Sequence, residues 1–275
     1  MSVDEDRKVE LNFRQRLFKA LYCYPPPGLR DVEAGRIDYE GEDHLSLLKA
    51  RFGSRFLREI YGKTVLDIGC GEGHQVLALA RQGAGLAVGC EVRPIFREAE
   101  AHARQSGIGD KTKFSLAQVR NLDEGSVDVL ISQNSFEHVD DPAAILQDAS
   151  YVLKPGGVFF ITFAPPWLNP FGVHMFFMIK YPWAHFLFSE KTILTVRKLY
   201  RDDGAMSYSE VEGGLNKMTI RKFVNFVSSS SLLIEELTLT PIRPLPRWLV
   251  GIPFVREFVT STVSAVLRKP GAPIP

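Results

Sequence analysis

The chain has 275 residues, 45% of them apolar and 24% charged, the profile of a globular protein long enough to bury a full core and not of a disordered or fibrous one. With 33 basic residues against 32 acidic ones the net charge is +1, so no basic field points to nucleic acid as the main partner, and no apolar run reaches the ~18 residues that a membrane-spanning helix needs. Three cysteines, Cys23, Cys70 and Cys90, form neither a CxxC pair nor a zinc-type spacing with histidine, which indicates no disulfide frame and no metal site.

The first residues, MSVDEDRKVELNF, are charged throughout and lack the apolar core of a secretory signal, which predicts a cytoplasmic protein. Residues 1–60 read as a helical segment interrupted by YPPPGLRD, where consecutive prolines deny the backbone its donors and force an extended stretch. In its second half, Leu45, Leu47, Leu48, Phe52, Phe56, Leu57 and Ile60 fall close to helical spacing and predict a helix packed on a sheet. From residue 64 short apolar runs alternate with amphipathic ones: TVLDI, HQVLALARQ, LAVGCEV, IFREAEAHARQ, KFSLA, SVDVLIS, PAAILQDASYVL and, after the turn KPGG, GVFFITF. Strands alternating with helices at this spacing predict a doubly wound α/β fold with a mostly parallel sheet over 61–164. The rhythm breaks over 165–215, which reads as an insertion, and resumes over 216–275 with the helix IRKFVNFV and the strand LLIEELTLT. The tail VTSTVSAVLRK reads as a last strand or an amphipathic helix, its β-branched residues favouring the strand.

The stretch VLDIGCGEGHQ runs from a buried-strand pattern into glycines at alternate positions, Gly69, Gly71 and Gly73. In an open parallel sheet, ligands bind at the carboxyl ends of the strands where the winding reverses. Glycines there permit positive φ and close backbone approach, and they bring N–H groups to the start of the helix expected near His74. The spacing is GxGxG and not the GxGxxG of dinucleotide sites, whose third glycine is replaced here by His74, which argues against a pyrophosphate ligand. At the end of the second predicted strand stands Glu91. A carboxylate in that place accepts both hydroxyls of a ribose and suits any adenosine-containing cofactor; the alternative is a surface acid at a strand end.

VLDIGCGEGH with Glu91, and the run SVDVLISQNSFEHVDDPAAILQDASYVLKPGGVFFITF, resemble the motifs of the class I S-adenosylmethionine-dependent methyltransferases over about residues 60–164. The resemblance implies a Rossmann-like fold with a mostly parallel seven-stranded sheet, S-adenosylmethionine as cofactor, and 61–164 as the cofactor-binding core. It further implies that Asp67 and the loop of Gly69, Gly71 and Gly73 hold the methionine end. Glu91 then binds the ribose hydroxyls, and Asn134 approaches the methionine portion from the fourth strand. One position departs from the family pattern: where many members carry an acid for the adenine amino group, LAQVRNL offers Gln118, whose carbonyl can accept the same bond. Val119 packs beneath the ring or offers it an N–H.

Methyl transfer from a sulfonium is an in-line displacement in which the cofactor brings the reactive carbon and the leaving group. The protein need only align, desolvate and where necessary deprotonate the nucleophile. For a hydroxyl acceptor, histidine is the first candidate base. By the family likeness that residue is His138 in FEHVDD; the plainer alternative is that Glu137 and His138 shape the loop and cap the helix starting near Pro142. His174 and His185, in the insertion, read as structural when taken alone.

The insertion holds eight aromatic residues between 165 and 190, Trp167 to Phe188. They suit the core of a small subdomain, which is the most economical reading, a lid over an acceptor pocket, or a patch resting on a membrane or partner, where the lone Lys180 supplies little positive charge. PWAHFLFSEKTIL and YSEVEGGLNKMT resemble stretches of bacterial methyltransferases found among sugar and surface-polysaccharide enzymes. That likeness implies O-methylation of a small molecule, glycan or lipid-linked sugar; peripheral membrane contact through 167–188 belongs to the membrane-patch reading of the aromatic residues. GGLNKMT also has a plain reading, a glycine turn followed by Thr219 capping the next helix. A cofactor-binding scaffold without turnover shares the same fold, and an NAD-dependent oxidoreductase is disfavoured by the glycine spacing.

Overall fold

In the long strand Leu153–Phe163, Val158 and Phe160 face one layer of helices while Phe159, Ile161 and Phe163 face the other. Every second residue enters a different core, so the strand reads as one continuous apolar run. The computed structural model, which describes residues 9–26, 43–201, 203–211 and 213–271, builds seven such strands into one sheet. They are β1 (Thr64–Ile68), β2 (Leu86–Cys90), β3 (Thr112–Ser115), β4 (Val127–Gln133), β5 (Leu153–Phe163), β6 (Leu233–Pro241) and β7 (Thr260–Arg268), ordered β3-β2-β1-β4-β5-β7-β6. The first five pair in parallel, and β7 runs antiparallel between β5 and β6. The chain winds outward from β1 to β3 and then returns to β4, so the switch point lies between β1 and β4.

The helices are α1 (Phe13–Tyr22), α2 (Ser46–Ile60), α3 (His74–Arg81), α4 (Arg97–Gln105), α5 (Pro142–Val152), α6 (Ala184–Leu187), α7 (Glu190–Arg197), α8 (Ile220–Ser228) and α9 (Arg256–Val259). One core joins α2 and α3 to the sheet through Leu48, Phe52, Phe56, Val76 and Leu79. The other joins α5 and α8 to the opposite face through Leu146, Ala149, Phe223 and Val227. Helix α2 is kinked at Gly53, whose φ of 58° only a glycine adopts cheaply, so its apolar face follows the twisted sheet in two pieces. Thr219 caps α8 by accepting the Lys222 N–H, and buried Glu257 from α9 accepts the N–H groups of Ile220 and Arg221. The orphan donors of that first turn are thereby met by a negative charge at the positive end of the helix.

The tail is a strand, as its β-branched content favours: lying between β5 and β6, β7 is buried on both faces. The N-terminal segment is not one unit. Helix α1 does not pack on the sheet but on the insertion, where Phe18 and Cys23 join Val173, Met178, Ile179 and Leu194 in a separate core. The remainder of the proline stretch, from Pro27 to residue 42, lies outside the described residues. The insertion thus has its own core, but its buried side chains are chiefly aliphatic. Several of its aromatic rings, Phe176, Tyr181 and Phe186 among them, are about half exposed beside Leu187. Among the described residues no helix is long and apolar enough to cross a membrane.

Candidate active site

The three glycines of the β1–α3 corner all have positive φ, 73°, 54° and 86° at Gly69, Gly71 and Gly73, but they serve different ends. A Cβ on Gly73 would come within 2.7 Å of both the Ala99 Cβ and the Phe114 ring, so this glycine lets α3 close onto α4 and β3. A Cβ on Gly69 would press on Ser135 at 3.1 Å, whereas one on Gly71 would meet nothing within 4 Å. Gly71 is therefore the glycine that faces open space. The Gly69 and Cys70 N–H groups both donate to the Cys90 carbonyl, tying the corner to the end of β2.

Two carboxylates lie behind this corner. Asp67, at the end of β1, is 2% exposed; burial and the nearby charge of Glu91 push its carboxyl up to about 7, against the opposing bond from Gln75. Glu91, immediately after β2, accepts the Gly71 N–H at 3.0 Å through Oε2 and the N–H groups of Val92 and Arg93 at 2.9 and 3.2 Å through Oε1. The acid predicted to face the ribose thus also clasps the glycine loop.

A cavity of about 190 Å³ opens beside the switch point, lined by Asp67, Gly69, Cys70, Gln75, Gln133 and the rings of His44 and His74. Of the residues predicted for the cofactor, Asp67 and Gly69 line it directly. The others are arrayed along the same carboxyl edge: Gln118 exposed after β3, and Asn134 exposed after β4 in the left-handed region, its N–H donating to Thr162. The Val119 side chain is buried in the main core. Sequence reasoning missed Gln75, Gln133 and Cys70. The Oε1 of Gln133 is buried with no partner, and burial pushes the Cys70 thiol well up, leaving it inert.

His138 sits where the turn after β4 meets the insertion. Its Nδ1 donates to the Gly214 carbonyl at 2.6 Å, which places the lone pair on Nε2. The Asn216 amide fastens the same turn by donating to the carbonyls of Phe136 and Val139, both at 2.9 Å. His174 stands perpendicular to His138 with ring centroids 5.5 Å apart, and its Nε2 donates to the Pro165 carbonyl. Burial, with His138 and His185 nearby, lowers His174 to about 4, so it is neutral. Glu137 is buried and accepts the Ala164 N–H; burial raises its carboxyl above the ordinary range. The expectation that Glu137 and His138 cap the next helix is corrected here. Asp141 caps α5 by accepting the Ala144 N–H, because only the residue directly before Pro142 has its side chain beside the free donors.

A glycine corner after β1, an acid after β2 and an open switch point define a cofactor-binding edge of methyltransferase type, and comparison with known proteins agrees. The family model of the methyltransferase domain matches residues 66–161. An uncharacterized methyltransferase of Mycobacterium sp. (strain JLS) is 30% identical over 210 residues, 75% of this chain and 77% of its own length. A ubiquinone biosynthesis O-methyltransferase of Pectobacterium atrosepticum is 34% identical over 134 residues, covering 46% of this chain and 54% of its own. The crystal structure of an S-adenosylmethionine-dependent methyltransferase from Mesorhizobium loti shares the fold with a TM-score of 0.55 at 18% identity, over 84% of this chain and 100% of that one. The chain belongs to this family and is a class I S-adenosylmethionine-dependent methyltransferase.

The glycine roles separate by substitution. Gly73→Ala is expected to cost roughly 2–5 kcal/mol through overlap and left-handed strain, and Gly71→Ala only about 1–2 kcal/mol from the strain; equal losses of stability in denaturant melts would contradict the assignment. Asp67 gives a pH test. Its folded pKa near 7 exceeds the unfolded value near 3.8, so the folded state holds the extra proton between these limits and stability falls as pH rises from about 4 to 7. Asp67→Asn should therefore be the more stable protein at pH 8, by roughly 2–4 kcal/mol, with the gap closing toward pH 4. A constant gap across thermal melts from pH 4 to 8 would show that Asp67 is not held protonated.

Proposed function

We propose that this methyltransferase methylates an oxygen atom of a small molecule, glycan or lipid-linked sugar seated between the carboxyl edge of the sheet and the insertion. The observation that carries the reading is His138, whose Nδ1 bond to Gly214 leaves the lone pair on Nε2 at that junction. A hydroxyl is the acceptor that needs such a group, because its proton must leave as the new O–C bond forms. The similarity to a ubiquinone biosynthesis O-methyltransferase supports oxygen as the acceptor atom. The exposed rings of Phe176, Tyr181 and Phe186 beside Leu187 support peripheral contact with a lipid surface, which suits a lipid-linked acceptor.

S-adenosylmethionine, when bound, supplies the methyl carbon and a sulfur leaving group. The residues present fit it: Gly71 faces open space, the buried Asp67 lines the cavity as a counter-charge for a cation, and the buried Gln133 Oε1 lacks a partner. Asp67 with Gly69, Gly71 and Gly73 would hold the methionine end, with Asn134 approaching from β4. Gln118 and Val119 would border the adenine. Glu91 would share its oxygens between loop amides and ribose hydroxyls. The full engagement of Glu91 with those amides also supports the second reading, a cofactor-binding protein without turnover.

Calorimetry separates these readings. S-adenosylhomocysteine should bind the purified protein, and Glu91→Ala should weaken it by about 10–100-fold, the loss of one or two charge-assisted hydrogen bonds. His138→Asn should keep that binding yet lower incorporation of labelled methyl groups into acceptors of a cell extract by about 100-fold or more. Absence of binding would overturn the cofactor site, and binding without incorporation by the wild type would favour the scaffold.

A further inference from the structure

The spacing of cysteines and histidines along the chain indicates no metal site, but the fold brings three side chains of metal-ligand type together from distant segments. Glu137 and His138 come from the turn after β4 and His174 from the insertion, and each offers a ligand atom within 4.8 Å of the other two. Both rings are held in place by backbone carbonyls. His138 donates through Nδ1 to Gly214 and His174 through Nε2 to Pro165, which leaves a lone pair on the opposite nitrogen of each. A backbone carbonyl behind the N–H is the support that orients metal-ligating histidines. Glu137 is 3% exposed; its Oε1 accepts the Ala164 N–H, while its Oε2 is buried with no partner. A buried carboxyl oxygen without a partner is costly.

We propose that Glu137, His138 and His174 bind one divalent cation of the zinc, cobalt or manganese type at the base of the insertion. One carboxylate and two imidazoles form a nitrogen–oxygen donor set that leaves coordination positions open. Donors about 2.1 Å from a common ion lie roughly 3–3.5 Å apart, so the widest separation in the cluster must close by up to about 1.5 Å. The proposal rests on the O-methylation reading and recasts His138 within it, as a ligand whose ring nitrogen holds the cation instead of taking the proton; the open position takes the acceptor hydroxyl. The cation lowers its pKa and the proton passes to solvent water. The oxygen then bonds the methyl carbon as the methyl–sulfur bond breaks, yielding the methylated acceptor and S-adenosylhomocysteine without any change of oxidation state.

The full chain, stripped with a chelator and titrated with Zn²⁺ and with Co²⁺, is expected to take up about one equivalent of either, Co²⁺ developing visible ligand-field absorption. Glu137→Gln, His138→Gln and His174→Asn should each weaken uptake by about 10–100-fold or more. The melting temperature and S-adenosylhomocysteine binding of each variant serve as controls for folding, and the wild-type titration stands without any variant. No stoichiometric uptake by the wild type, or uptake unchanged in all three folded variants, overturns the proposal. The same samples separate it from its parent reading. Metal uptake without S-adenosylhomocysteine binding supports the metal site while sinking the methyl-transfer role, and S-adenosylhomocysteine binding without metal uptake sinks the metal site alone.

Discussion

Two acids held side by side at the ends of β1 and β2 constrain the whole carboxyl edge. Like charges in a low-dielectric interior cannot both be ionised without compensation. Asp67 answers by keeping its proton to about pH 7, and Glu91 by accepting three backbone N–H groups. The second answer shapes the edge, because one of those donors is Gly71, so the carboxylate after β2 sets the path of the loop. The first makes the site receptive. In the proposed site a cationic ligand beside Asp67 would supply the counter-charge that burial removed, so a residue that lowers the stability of the empty protein would strengthen its hold on that ligand.

The second half of the site depends on how the insertion is fastened. It is tied to the sheet by short polar bonds and not by a shared core: His138 after β4 donates to the Gly214 carbonyl, and the Asn169 amide donates to the carbonyl of Thr260 on β7. Its own core is completed by α1, which reaches it from the far end of the sequence. The insertion can therefore vary in shape without disturbing the sheet.

Much of this was legible in the sequence because periodicity reports local geometry. The apolar runs of β1 to β5, the glycines with φ above zero and the β-branched tail each state a backbone requirement that one residue type meets. Partners in space are not stated in that way. The amphipathic pattern of α1 says that one face is buried but not that the insertion buries it. The aromatic richness of 167–188 suggested a core, yet aliphatic side chains fill it while several rings stay outside. Gly71 and Gly73 look alike in sequence and differ only because Ala99 and Phe114 crowd one of them. Likewise nothing near FEHVDD announces His174, 36 positions downstream, as the neighbour of His138.

The central claim is that the clasp between Glu91 and the glycine loop is the cofactor site itself. A crystal structure of the complex with S-adenosylhomocysteine tests it most directly. Ribose hydroxyls are expected within hydrogen-bond distance of the Glu91 carboxylate, with the amino-acid end of the ligand over Gly71, beside Asp67. Ligand density elsewhere on the chain, with no contact to Glu91, would contradict it.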